Sequence, residues 1–119
     1  MALTNPKRGD VVRVNLDPVV GSEQAGKRPA LVISPDFINE RSPIVLIAAI
    51  TSKKTERVYP SEVLIKPPEG GLTQLSKVML LHLRAVDKRR LASRYGMVSE
   101  ETMLEVDEAI RIATGLQLL

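Results

Sequence analysis

The chain has 119 residues, no cysteine and a single histidine, and its 17 Lys and Arg residues outnumber its 14 Asp and Glu residues. The length predicts a single domain over residues 1–119. The absence of cysteine excludes disulfides and cysteine metal ligands, and a single histidine disfavours a histidine metal site, so we expect no metal or other cofactor. The N-terminus lacks a signal-peptide core and no apolar run reaches membrane-spanning length, which predicts a cytoplasmic protein, and a net charge of +3 is compatible with a polyanionic partner.

The first half of the chain predicts three strands. Apolar and polar side chains alternate over residues 11–16, the two-residue period of a half-buried strand. Residues 29–34 and 44–50 are rich in apolar and β-branched side chains, which is typical of central strands covered on both faces. The polar segment 35–42 between them is either a loop or a single helical turn.

The second half predicts further strands and one helix. Residues 62–65 and 78–83 are strand candidates, the latter with side chains that alternate between the two faces, and residues 95–98 are a short last candidate. Ser99 is a good N-cap, and apolar residues recur at helical spacing from there towards Gly115, which predicts a C-terminal helix of about fifteen residues. We therefore predict a mainly β (α+β) fold: a small antiparallel β-barrel or curled sheet with a C-terminal α-helix and short helical turns.

Two polar residues are predicted to meet at one edge of this sheet. If the second and third strands form an antiparallel hairpin centred near Asn39-Glu40, Arg28 lies opposite Thr51. The glycine-bounded loop 21–26 then lies over this pair. It brings further polar side chains near the sheet edge, from Ser22, Glu23, Gln24 and Lys27. Polar groups that converge on the rim of an apolar core are a usual place for a site.

The chemistry of Arg28 suits a phosphate. Its guanidinium offers a planar fork of donors and stays charged throughout a reaction. RNA supplies its own nucleophile, the 2′-hydroxyl, so phosphodiester cleavage without a metal needs only a proton acceptor, a proton donor and charge stabilisation. The alternative is a purely structural role, in which Arg28 is a surface ion-pair partner and Thr51 is an ordinary strand residue. The spacing alone leaves both interpretations open.

Three segments together resemble a known family. These are RGDVVRVNLDPVVGSEQAGKRPALVIS at residues 8–34, AAITS at 48–52 and LRAVDKRRL at 83–91. They look like the MazF/PemK/Kid toxins of bacterial toxin–antitoxin systems. The resemblance implies a homodimer of SH3-like barrels that cleaves single-stranded RNA, usually mRNA, at short specific sequences without metal and so inhibits translation. It also implies a cognate antitoxin whose acidic, disordered tail covers the RNA groove.

The same resemblance implies catalytic residues. Arg28 and Thr51 match the catalytic arginine and threonine of the family, and Glu23 matches a loop glutamate that is implicated in some members. Other branches carry Arg and Asp where this chain has Met79 and Leu81, so the version with Arg28 and Thr51 is implied here. We assign charge stabilisation to Arg28, orientation of the phosphate or 2′-hydroxyl to Thr51, and proton acceptance to Glu23.

We expect RNA contacts from polar and basic side chains near this pair and in segment 51–61, which we predict sets the cleavage sequence. These residues are Gln24, Lys27, Ser52, Lys53, Lys54, Arg57, Tyr59, His82 and Arg84. Tyr59 is the preferred base-stacking residue, since Phe37 is expected to pack and packing is one alternative for Tyr95. His82 is open between a proton-transfer role and a structural or surface position.

Two other functions fit the residues. One is a non-catalytic nucleic-acid-binding barrel that acts on operator DNA as a corepressor with its antitoxin. The other is a toxin of the same fold directed at gyrase, although the loop sequence GSEQAGKRP and Thr51 favour RNA cleavage.

Overall fold

The computed structural model of the chain describes residues 3, 5–16 and 27–119. Its strands are β1 (Asp10–Asn15), β2 (Lys27–Val32), β3 (Ile44–Thr51), β4 (Glu62–Ile65), β5 (Ser76–Asp87) and β6 (Leu91–Met97). Its helices are α1 (Asp36–Arg41) and α2 (Glu100–Ala113), and short 3-10 turns lie at Glu69–Gly71 and Lys88–Arg90. The helical alternative for segment 35–42 is therefore confirmed. Residues 17–26, which include Glu23, Gln24 and the rest of the predicted loop 21–26, lie outside the described residues.

The strands form one antiparallel sheet in the order β4-β5-β3-β2-β1-β6. Within the described residues, no ladder joins the outer strands β4 and β6, so this sheet is open. Register shifts interrupt the pairing of β1 with β6 and of β3 with β5, and such irregularities bend strands. The predicted mainly β fold with a C-terminal helix is confirmed.

The central strands β2 and β3 are covered on both faces, as their apolar runs predict. Leu31 and Ala48 belong to a cluster that also contains Val106 of α2. Val32 and Ile47 point into a second cluster, on the other face, with side chains of β1 and Leu91 of β6. Because both faces of these two strands are buried, β2 and β3 lie in the middle of the sheet. The start of β2 and the end of β3 are therefore held side by side at one end of the sheet, which we call the β2–β3 edge.

Strand β5 departs from its prediction. It extends over Ser76–Asp87, and its partners on β3 change abruptly: Ala48 pairs with Leu83 whereas Ala49 pairs with Met79, so residues 80–82 bulge. Leu81 is 71% exposed in this bulge. The predicted regular alternation over 78–83 is therefore wrong, because extra residues in one strand shift the facing of every side chain beyond them.

Helix α2 is capped at its N-terminus as predicted. Ser99 Oγ accepts a hydrogen bond from the Thr102 backbone N–H (3.1 Å). Glu69, from the turn before β5, adds a carboxylate there: its Oε2 accepts from the Ser99 N–H (3.0 Å) and from Thr102 Oγ1 (2.6 Å). Burial raises the pKa of Glu69, but these hydrogen bonds outweigh it and hold the pKa below its ordinary value. Of the helices described, none is long and apolar enough to cross a membrane.

Candidate functional site: a basic groove at the β2–β3 edge

The hairpin of β2 and β3 has the predicted register. Ala30 pairs with Ala49, and the ladder continues through Val32 opposite Ile47. Two positions beyond the Ala30–Ala49 pair lie Arg28, the second residue of β2, and Thr51, the last residue of β3. The neighbouring strands support both residues, since Arg28 is paired with Val14 of β1 and Thr51 with Lys77 of β5. The sheet therefore brings Arg28 and Thr51 to one edge.

A cavity of about 470 Å³ opens at this edge. Its described lining combines polar side chains with apolar ones, among them Ala49, Ile50 and Met79. The polar side chains are Arg28, Thr51, Ser52, Lys53, Thr73, Gln74, Ser76 and Tyr95. This lining holds two cationic side chains and, among the described residues, no carboxylate, so it favours an anionic ligand.

Thr51 is held in place by the chain that follows it. The Lys53 backbone N–H donates to Thr51 Oγ1 at 3.1 Å. Because the oxygen accepts this bond, the hydroxyl proton is the donor that Thr51 offers to a ligand. Thr51 is half-buried, whereas Ser52, Lys53 and Lys54 are exposed. The end of β3 thus presents one hydrogen-bonded hydroxyl followed by two exposed cations, a combination that suits a phosphodiester backbone.

A second cavity, of about 330 Å³, continues the first on the far side of Arg28. The two share Arg28, Pro29 and Met79 among their lining residues, and the second adds His82 and Arg84. The β5 bulge explains this placement, because it carries His82 out of the ladder and exposes it. The structure thus assembles Arg28, Thr51, Ser52, Lys53, His82 and Arg84 along one groove, which we call the β2–β3 groove.

Other predicted RNA contacts lie beside this groove. Arg57 and Tyr59 belong to the loop between β3 and β4 (residues 52–61) and line neither cavity. Tyr59 is 51% exposed, and Arg57 Nη1 donates to its hydroxyl at 3.2 Å. Lys54 is exposed on the same loop, with a positive φ of 55°. Of Lys27 only the backbone position at the start of β2 is described.

The prediction that Phe37 packs against the core is wrong. The sequence also did not predict that Tyr95 lines the first cavity. Phe37 is 61% exposed on α1. Tyr95 of β6 lines the first cavity together with Gln74. Gly71 explains how they meet: it has a φ of +72°, and a Cβ there would lie 2.1 Å from the Tyr95 carbonyl oxygen. Only a glycine allows the chain before β5 to approach β6 so closely, and no local pattern signals that approach.

The fold and groove define the chain as a small, mainly β protein with a basic cleft at one sheet edge. The family model for the PemK-like, MazF-like toxins of type II toxin–antitoxin systems matches residues 7–114. The chain therefore belongs to this toxin family.

Individual relatives agree with this assignment. The chain is 42% identical over 110 residues to endoribonuclease EndoA of Bacillus subtilis (strain 168), covering 92% of this chain and 95% of the relative. It is 41% identical over 110 residues to endoribonuclease MazF of Staphylococcus epidermidis, covering 92% of each. Among solved structures, an endoribonuclease in complex with its cognate antitoxin from a mycobacterial species matches with a TM-score of 0.79 and 26% identity, over 96% of this chain and 99% of that one.

Proposed function

We propose that this MazF-like endoribonuclease toxin cleaves single-stranded RNA, above all mRNA, at short specific sequences in the cytoplasm and so inhibits translation. The observation that carries the proposal is the placement of Arg28 and Thr51 together in a basic groove whose described lining holds no carboxylate. The names of the two curated relatives support RNA as the substrate, since both are endoribonucleases at more than 40% identity.

In the proposed mechanism the RNA provides the nucleophile. The 2′-oxygen attacks the adjacent phosphorus, the bond from phosphorus to the 5′-oxygen breaks, and the products are a 2′,3′-cyclic phosphate and a 5′-hydroxyl. Glu23 takes the proton of the 2′-hydroxyl, and the 5′-oxygen takes up a proton from water. Arg28 stabilises the charge that develops on the non-bridging oxygens, and the Thr51 hydroxyl orients the phosphate. Each of these steps proceeds without a metal ion.

RNA binding is proposed to follow the β2–β3 groove. Lys53 and Arg84 lie towards opposite ends of it, on either side of Arg28, and contact successive phosphates. Loop residues Lys54, Arg57 and Tyr59 engage the strand beyond the groove, together with Gln24 and Lys27. Ser52 and His82 add polar contacts. Both exposed tyrosines are candidates for base stacking, because Tyr95 opens into the groove and Tyr59 is exposed beside it.

We further propose that the protein works as a homodimer and binds a cognate antitoxin whose acidic tail occupies the groove. The excess of cations in the groove supports an acidic competitor for RNA. A solved relative is an endoribonuclease in complex with its cognate antitoxin, which supports a partner of this kind. Through the antitoxin, the complex would also contact operator DNA.

The proposal is tested with purified protein and a long mixed-sequence RNA in EDTA, with the cleavage ends mapped. We expect cleavage at a short recurrent sequence with 2′,3′-cyclic phosphate ends. Arg28→Ala should lose about 10²–10³-fold in kcat, the effect of removing one donor to a developing oxyanion. Arg111→Ala, which removes the same charge from the exposed face of α2, is the matched control and should cleave normally.

Undiminished cleavage by Arg28→Ala would refute the proposed role of the groove. Salt-dependent binding of nucleic acid without any cleavage would instead support a corepressor, and inhibition of gyrase with intact RNA would support a gyrase-directed toxin.

A further inference from the structure

Lys77 is a buried lysine next to the groove. It lies near the start of β5, where it is paired with Thr51 on one side and with Leu64 on the other, and its side chain is only 5% exposed. Lysine is almost never buried to this degree unless its charge is paired. Burying the Lys77 ammonium therefore costs free energy of desolvation, and its contacts indicate which interactions offset that cost.

The ammonium of Lys77 has three neighbours, and all belong to the loop between β3 and β4 or to the strand that follows it. Lys77 Nζ donates to the Arg57 carbonyl oxygen at 2.8 Å and to Glu62 Oε1 at 2.9 Å, and it lies 5.9 Å from the centre of the Tyr59 ring. The latter distance is within the range of a cation–π contact. One buried charge thus contacts the loop backbone, a loop aromatic ring and the first residue of β4.

Glu62 completes the arrangement. Its Oε1 also accepts a hydrogen bond from the Tyr59 backbone N–H at 3.0 Å, and its side chain is only 13% exposed. Burial raises the pKa of Glu62, but the hydrogen bonds from Tyr59 and Lys77 outweigh it and hold the pKa below its ordinary value. The carboxylate is therefore ionised at neutral pH, and the pair fixes the loop backbone on both sides of Val58.

The rest of the loop has few anchors of its own. Among the described residues, those from 52 to 60 are exposed except the half-buried Thr55, and the apolar Val58 is 42% exposed. Between residues 53 and 60 its further backbone bonds are local, from the Arg57 N–H to the Lys54 carbonyl (3.3 Å) and from the Glu62 N–H to the Tyr59 carbonyl (2.8 Å). The last loop residue, Ser61, accepts a backbone hydrogen bond from Leu80 of β5 (3.0 Å). With so little buried apolar surface, the middle of the loop, residues 53–60, depends on the Lys77–Glu62 pair for a single conformation.

We propose that Lys77, with Glu62, is a positioning residue that determines RNA sequence preference by fixing the loop of residues 52–61 beside Thr51. The inference rests on the proposed RNA cleavage. A buried ion pair contributes little net stability compared with apolar residues of similar volume, because desolvation offsets the attraction. Its effect here is to hold Arg57 and Tyr59 in one arrangement relative to the groove. Lys77 touches no substrate; it acts through the loop that does.

The test is the double variant Lys77→Met/Glu62→Gln, which removes both charges, keeps the length of the Glu62 side chain, shortens that of Lys77 by one atom and leaves an amide oxygen to accept from the Tyr59 N–H. We expect KM for a cognate RNA to rise at least tenfold while kcat stays within about threefold, and the mapped cleavage sites to include sequences that the wild-type protein leaves intact. Hydrogen exchange of the backbone amides of residues 53–59 and 61 should accelerate at least tenfold in the absence of RNA.

The matched control is Arg8→Met/Asp107→Asn. It removes another ion pair, which joins the segment before β1 to helix α2 and contains no residue of the loop or of β5. We expect the control to change thermal stability without changing KM or the cleavage sites. If Lys77→Met/Glu62→Gln does not fold, Glu62→Gln alone must move KM and the cleavage sites in the same direction by a smaller factor.

Unchanged KM, cleavage sites and loop exchange in the double variant would overturn the inference, as would equal changes in the variant and the control. Failure of the proposed function is a separate result: the wild-type protein would then leave RNA intact. In that case the exchange rates still decide whether Lys77 orders the loop, and unchanged rates would overturn the inference.

Discussion

At the scale of single residues, the hydroxyl of Thr51 allows a sharp substitution experiment. Thr51→Val keeps the shape of the side chain and the β-branch that suits the end of β3, but it removes the hydroxyl. We expect a loss of about 10²-fold or more in kcat, if the hydroxyl orients the phosphate as proposed. Thr51→Ser keeps the hydroxyl and should retain cleavage within about tenfold. Single-turnover cleavage of a saturating RNA measures both.

Equal activity of Thr51→Val and the wild-type protein would contradict the role of the hydroxyl. Circular dichroism and the thermal midpoint of both variants serve as controls, because the Lys53 N–H loses its acceptor in Thr51→Val and the start of the loop is then less well held. A midpoint shift of a few degrees with normal catalysis would assign Thr51 to the loop alone.

At the scale of elements, Glu69 couples the turn before β5 to the N-terminus of α2. Since hydrogen bonds depress its pKa in the folded protein, the unfolded chain binds the proton more tightly. The stabilisation by Glu69 is therefore complete above ~4.3, the pKa of an unfolded-state glutamate, and is lost as the pH falls through the lower folded-state pKa. Glu69→Gln should lower the free energy of unfolding by about 1 kcal/mol at pH 7 and by much less at pH 3.

Urea denaturation at several pH values measures this difference. Glu101→Gln is the matched control, because Glu101 is exposed in the same first helical turn, and it should cost only a few tenths of a kcal/mol. A constant difference between Glu69→Gln and wild type across this pH range would show that the carboxylate charge does not contribute to the cap.

At the scale of the whole molecule, the net charge of +3 is unevenly placed. Cations line the groove, whereas the acidic residues of α2 line neither cavity, so the field at the groove is more positive than the net charge suggests. RNA affinity should therefore fall steeply with salt. In the Thr51→Val background, where cleavage is expected to be slow, Lys53→Gln should reduce the slope of log K against log salt by about 0.7, the value for one phosphate contact to a single strand.

Titration of a labelled RNA at 50–300 mM salt measures the slope. The control in the same background is Lys66→Gln, since Lys66 is exposed and lines neither cavity. If both variants reduce the slope equally, the RNA path does not follow the groove past Lys53.

Local pattern was sufficient for the strands of the hairpin and for the register that joins Arg28 to Thr51. Antiparallel pairing matches residues whose numbers have a constant sum, so a centre near Asn39-Glu40 is enough to set the register, although the connection contains α1. The helix cap at Ser99 was predictable for the same reason, because its contacts lie within one turn. The part of the site built by the hairpin therefore follows from the residues.

The remaining walls of the groove were decided by contacts between distant segments. Tyr95 reaches the cavity only because Gly71 packs against the β6 backbone, and His82 only because β5 bulges. Lys77 lies just before the strand predicted at residues 78–83, yet the sheet includes it in β5 and buries it between β3 and β4. Periodicity in the sequence predicts which side of a strand faces the core. It does not predict which strand, turn or charged residue packs against that side, because those contacts join distant segments and form only in the folded chain.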